Sequence, residues 1–151
     1  MQKLQELGFI KKLKDLPKEV QEELNKGFKH YIPTTVAWKE TSCSTKTRIC
    51  WDSSRQSKES AALNSILLKG AADYSVVMML VRFRENKIGV SADILKFYNN
   101  LKLDPAHYKY QMALWRPNMM PDEEAEELVL LVHFYGIRSS GGLCKVAVNP
   151  N

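Results

Sequence analysis

The feature that most limits the fold of this chain is the shortness of its apolar runs. The two longest, residues 74–81 and 128–135, span eight residues each and include one polar residue each, Ser75 and His133. A helix that crosses a bilayer needs about 20 apolar residues, so the sequence predicts no membrane-spanning segment. Runs this short are typical of buried strands and short helices. With 44% apolar residues, the 151-residue chain has enough of them to build a hydrophobic core.

Charge divides the chain into three parts. Residues 1–30 carry a formal charge of +2, residues 31–116 carry +6, and residues 117–151 carry −3. A basic centre beside an acidic tail favours a polyanionic partner such as nucleic acid, because lysine and arginine bind phosphate. A solvated surface on which charges happen to cluster explains the same numbers. Charge alone therefore leaves both interpretations open.

Cysteine usage and the N-terminus suggest a compartment. The three cysteines, Cys43, Cys50 and Cys144, form no C-x-x-C motif, and no histidine stands at zinc-ligand spacing from them. We therefore expect reduced, inert thiols and neither a disulfide scaffold nor a structural zinc site. The first 16 residues contain no unbroken apolar region of the kind that forms the core of a signal peptide, so no secretory signal is expected. Together these features favour a cytoplasmic or nuclear protein.

Periodicity predicts an N-terminal helical segment over residues 1–30. Leucine or isoleucine recurs every third residue from Leu4 to Leu16, which indicates a first helix, and Pro17 starts a second. After Pro33 the β-prone runs 34–38 and 47–51 flank a polar turn and predict a hairpin. Short helices are expected over 61–69 and 73–85.

The remaining residues, 87–151, are expected to mix short strands with helical turns. We predict strands over 88–93, 111–115 and 128–135, helical turns over 94–100 and after Asp104-Pro105, and a last apolar stretch over 143–148. Helices and strands without strict βαβ alternation indicate an α+β fold with a small mixed or antiparallel sheet.

The tip of the predicted hairpin is rich in cations. Lys39, Lys46 and Arg48 lie within ten residues, and Lys46 and Arg48 share one face of a strand because side chains alternate. A lysine beside an arginine fork suits a triphosphate. Surface cations that protect an edge strand from aggregation are the alternative.

Asp93 and Tyr98, which follow the hairpin in the sequence, could also carry chemistry. Asp93 stands at the C-terminal end of the predicted strand 88–93, where a carboxylate suits Mg²⁺, although a cap for the next helical turn is the favoured interpretation of the residue taken alone. Tyr98 projects from that turn, where its ring could stack on a sugar or fill the core.

A series of short motifs occurs in one order between residues 25 and 143. They are Tyr31-Ile32-Pro33, Lys39-Glu40-Thr41-Ser42, residues 44–54, Leu63-Asn64, residues 67–70, 80–84 and 90–98, Tyr110-Gln111, residues 114–116 and Phe134-Tyr135-Gly136. Their order and spacing resemble a reverse transcriptase, most closely the Pao (BEL) family of LTR retrotransposons. The resemblance implies an RNA-directed DNA polymerase, with fingers over 31–86 and part of the palm over 87–151.

The resemblance assigns nucleotide-binding roles to five residues. Lys46 and Arg48 match fingers residues that grip the triphosphate of an incoming deoxynucleotide, and Lys39 is placed to assist. Tyr98 matches the aromatic steric gate that excludes a ribose 2′-OH. Gly136 matches the glycine under the nucleotide base and template. The implied partners are a deoxynucleoside triphosphate and an RNA or DNA template-primer.

The resemblance also implies Mg²⁺, and here the chain departs from the family. Asp93 matches the first catalytic aspartate, and Ile94 matches a position that lends its carbonyl oxygen to the same metal. The family supplies further carboxylates from an Asp-Asp pair, which the 151 residues do not contain. Two-metal phosphoryl transfer needs several carboxylates. We therefore expect an incomplete fingers and palm that does not polymerise DNA by itself.

Two further expectations follow. The alternative to a polymerase fragment is a domesticated remnant that binds nucleic acid or a protein without catalysis. A palm sheet that lacks its later strands should also expose an unpaired edge near residues 128–135, through which the chain would self-associate.

Overall fold

A computed structural model of the chain describes residues 1–41, 47–58, 60–70, 75–118, 120 and 122–148. The strands are β1 (Ile10–Lys12), β2 (Thr34–Trp38), β3 (Thr47–Trp51), β4 (Met112–Trp115) and β5 (Glu126–Leu130). The α-helices are α1 (Gln2–Glu6), α2 (Lys18–Asn25), α3 (Leu63–Ile66), α4 (Val76–Phe83) and α5 (Ser140–Val148). Short 3₁₀ helices cover Leu13–Asp15, Phe97–Asn100 and Pro105–Tyr110. This mixture agrees with the expected α+β class.

Strand β5 is the centre of a three-stranded antiparallel sheet with the order β1-β5-β4. Leu128, Val129 and Leu130 are completely buried. Because side chains alternate along a strand, Leu128 and Leu130 pack into one hydrophobic cluster and Val129 into a second. The expectation of an unpaired edge near residues 128–135 is therefore wrong, since both edges of β5 are paired.

Two predicted elements differ in the structure. The helix expected over residues 4–16 is limited to α1, and Ile10 lies instead in β1, opposite Leu130 and fully buried. Pairing with β5 here outweighs helical periodicity. The strand expected over 88–93 is wrong: these residues form no strand, and Ile88 and Val90 are highly exposed. A strand needs a hydrogen-bonded neighbour, and no strand of the described ranges pairs with this segment.

Other predictions are confirmed. Helix α2 follows Pro17, and the 3₁₀ helix Pro105–Tyr110 begins after Asp104, whose carboxylate accepts from the Ala106 N–H. Strands β2 and β3 form the expected hairpin, which contacts the core through Trp51. The Trp51 and Phe134 rings lie 5.1 Å apart. The last apolar stretch forms α5.

Helix α4 exposes its apolar side chains. Residues 77–81, which are all aliphatic or methionine, are each more than half exposed, and so is Phe83. A helix of eight residues is marginally stable by itself. We conclude that α4 contributes little to the core.

Across the described ranges, no helix is long and apolar enough to cross a bilayer.

The difference between β5 and α4 can be tested with one chemical change at two positions. We predict that Leu130→Ala lowers the free energy of unfolding by about 2–5 kcal/mol, because it leaves a cavity in the core. Leu80→Ala in α4 should change it by no more than about 0.5 kcal/mol. Urea denaturation of both variants measures the difference, and equal losses would contradict the fold described here.

Candidate functional site

The turn that follows β5 brings distant parts of the chain together. Tyr135 and Tyr98 meet edge to face, with their ring centroids 5.6 Å apart. Tyr98 lies on the 3₁₀ helix Phe97–Asn100, 37 positions earlier in the sequence. The structure therefore places Tyr98 beside the residue that precedes Gly136.

Side chains from three parts of the chain hold the carbonyl oxygens of this turn. Asn99 donates to the His133 carbonyl at 3.0 Å, and Ser140 donates to the Phe134 carbonyl at 3.0 Å. Asn64 donates to the Gly136 carbonyl at 2.7 Å. Each bond starts at a different secondary-structure element, so the backbone path of the turn is fixed from several sides.

Gly136 requires glycine for two reasons. Its φ of +89° lies in the region that side chains disfavour. A Cβ at this position would also lie 2.6 Å from the Trp51 carbonyl oxygen. The end of β3 therefore packs directly against the turn, which joins the base of the hairpin to the Tyr98–Tyr135 pair.

His133, at the start of the turn, is uncharged near neutral pH. His133 is buried, and burial together with the nearby His107 lowers its pKa below the ordinary value of 6.5. The neutral imidazole is consistent with its burial, because a charge there would be poorly solvated.

The predicted cations lie at the other end of the hairpin. Arg48 is exposed on β3, opposite Ala37 of β2, and Lys39 is exposed just after β2. Alternation along β3 places Arg48 on the opposite face from Trp51. The structure thus brings Arg48 and Lys39 to one end of the hairpin but does not bring them into contact with Tyr98 or Gly136. Lys46 lies outside the described residues.

Asp93 and Ile94 are in an exposed, irregular segment. The Asp93 carboxylate does not cap the next turn, because Lys96 holds the N-cap position of Phe97–Asn100. In the part of the chain that the structure describes, no three His, Cys, Asp or Glu side chains are grouped to hold a metal ion.

Sequence reasoning missed the role of Asn64. It appeared only as part of the Leu63-Asn64 motif, whereas the structure places its amide between two loops. A single sequence carries no signal for these contacts, because Gly136 is 72 residues away.

Comparisons with known proteins identify no family. No protein-family model matches the sequence, and no curated protein matches it.

The close approach of Gly136 to β3 gives a direct test. We predict that Gly136→Ala lowers the free energy of unfolding by about 1–3 kcal/mol or more, because it adds backbone strain and a clash with the Trp51 carbonyl. Gly141→Ala, in α5 with no atom within 4 Å of its new Cβ, should leave stability unchanged or raise it by up to about 1 kcal/mol. Denaturant unfolding compares the two, and a stable Gly136→Ala variant would exclude the described contact.

Proposed function

We propose that this chain is part of a reverse-transcriptase-like polymerase of the Pao (BEL) retrotransposon type, with surfaces for nucleotide and template. Its chemical step needs more carboxylates than these residues supply. The observation that supports this proposal is the grouping of Tyr98, Tyr135 and Gly136. The resemblance assigns Tyr98 to the sugar and Gly136 to the base of one nucleotide, although 38 positions separate them. Their proximity is what a single nucleotide would require.

Each part of this surface suits a different part of a deoxynucleotide. A base can approach the backbone at Gly136 closely because no side chain covers it. The Tyr98 ring beside it would clash with a 2′-OH, so a deoxyribose would be preferred. Arg48 and Lys39, on the hairpin, would attract the phosphate groups of the nucleotide. The phosphate backbone of the template-primer would contact the same basic region.

Catalysis is the part of the proposal that these residues do not complete. In-line phosphoryl transfer with two Mg²⁺ ions needs several converging carboxylates. Asp93, with the Ile94 carbonyl, would supply one metal ligand pair, and the sequence contains no adjacent aspartates. We therefore expect the 151 residues alone to bind nucleic acid without extending a primer.

A second candidate is a domesticated, non-catalytic binding protein. The exposed apolar surface of α4, followed by Arg84 and Lys87, favours this candidate because such surfaces commonly bind proteins. A second copy of the chain would be one such partner. Self-association would then occur through α4 and not through β5, because both edges of β5 are already paired.

Salt titration of primer-template binding tests the proposed surface. We predict that Arg48→Ala reduces the slope of log affinity against log salt by about 1, because one phosphate contact is lost. Lys18→Ala removes the same charge from the exposed start of α2 and should leave the slope unchanged. Fluorescence anisotropy with a labelled primer-template gives both slopes.

Two results would contradict the proposal. Equal slopes for the wild-type protein and both variants would show that Arg48 does not contact phosphate. In a parallel assay with Mg²⁺ and all four deoxynucleotides, we expect no primer extension. Extension that is abolished by Asp93→Asn would show that the chain is a complete catalyst.

A further inference from the structure

The side-chain amide of Asn64 bridges two loops. Its Nδ2 donates to the Ser54 Oγ at 2.8 Å and to the Gly136 carbonyl oxygen at 2.7 Å. Its Oδ1 accepts from the Arg138 N–H at 2.8 Å. An amide has two N–H donors and one acceptor oxygen, so each of its polar atoms is used here.

Backbone bonds reinforce the same connection. The Asn64 N–H donates to the Ser53 carbonyl at 2.9 Å, and the Arg138 guanidinium donates to the Asn64 carbonyl at 3.3 Å. Leu63, the preceding residue, is buried in the core that contains Trp51. Asn64 is therefore held by its neighbour in sequence while it binds both loops.

The two loops belong to the two halves of the candidate site. Ser53 and Ser54 follow β3, the strand that carries Arg48, and Gly136 follows Tyr135, whose ring meets Tyr98. On its other side, Gly136 lies against the Trp51 carbonyl. The Gly136 turn is thus held between β3 and Asn64, and a shift of either would move the turn relative to the hairpin.

We infer that Asn64 is a positioning residue, which fixes the Gly136 turn against the base of the hairpin so that both can engage one ligand. The identity of that ligand as a deoxynucleoside triphosphate rests on the proposed function. The fixing of the turn does not, because it follows from the hydrogen bonds alone. Asn64 need not touch the ligand to affect its binding.

Asn64→Asp isolates this role with little change in shape. A carboxylate can still accept from the Arg138 N–H, but it has no N–H to donate and places negative charge against the Gly136 carbonyl. Asn118→Asp is the matched control. The Asn118 Nδ2 donates to Glu123 at 3.0 Å in an exposed loop, so the control also replaces a donating amide by a carboxylate facing oxygen.

Two measurements separate positioning from simple stability, both under conditions where all variants are folded. Amide hydrogen exchange should speed up about tenfold in residues 134–138 of Asn64→Asp, while residues 128–130 stay unchanged. Affinity for dTTP with Mg²⁺, measured by calorimetry, should fall about tenfold. Asn118→Asp should alter neither.

Each outcome decides a different point. Unchanged exchange in residues 134–138 of Asn64→Asp would overturn the fixing of the turn. Faster exchange with undiminished dTTP affinity would overturn the positioning role and leave Asn64 with a structural one. If the wild-type protein does not bind dTTP, the proposed function and the nucleotide ligand both fail, while the exchange data still decide whether Asn64 fixes the turn.

Discussion

Pairing of β5 on both edges is the interaction on which the rest of the structure depends. The side chains of its last three residues, Leu128, Val129 and Leu130, are fully buried, and they link the two hydrophobic clusters. The ordered backbone continues beyond the strand, because the Leu131 N–H donates to the Phe9 carbonyl and the His133 N–H donates to the Leu101 carbonyl. The turn at Gly136 is therefore attached to the most buried part of the chain. A site built there needs little reorganisation when a ligand binds.

The N-terminal segment completes this frame through polar contacts as well as apolar ones. Lys12 pairs with Glu126 at 2.7 Å, and Glu127 accepts hydrogen bonds from Lys29 and Tyr31. Burial disfavours the Glu127 carboxylate, but these two donors outweigh that cost, so its pKa lies below the usual value. The contacts fix residues 29–31 against β5 just before the hairpin begins.

Local features of the sequence were sufficient for some elements and not for others. A sequence displays local backbone preferences directly, as it does at Pro17, in the β-prone runs around Val36 and Ile49, and at Gly136. Ile10 satisfies both a helical and a strand pattern, and only its pairing with Leu130 decides between them. The segment that ends at Asp93 has strand composition but no strand partner among the described residues. Asn64 gave no sequence signal, because its partners are distant in the chain.

Photoaffinity labelling with an azido-substituted dATP tests the central claim most directly, because it reports where a nucleotide lies without requiring catalysis. We predict that mass spectrometry will find the label within residues 97–100 and 134–138, and that unmodified dATP will prevent it by competition. Arg48→Ala should reduce the yield at both places, since the hairpin would hold the phosphates less tightly. Labelling elsewhere on the chain, or labelling that unmodified dATP does not reduce, would contradict the assignment of the Tyr98–Tyr135–Gly136 surface to a nucleotide.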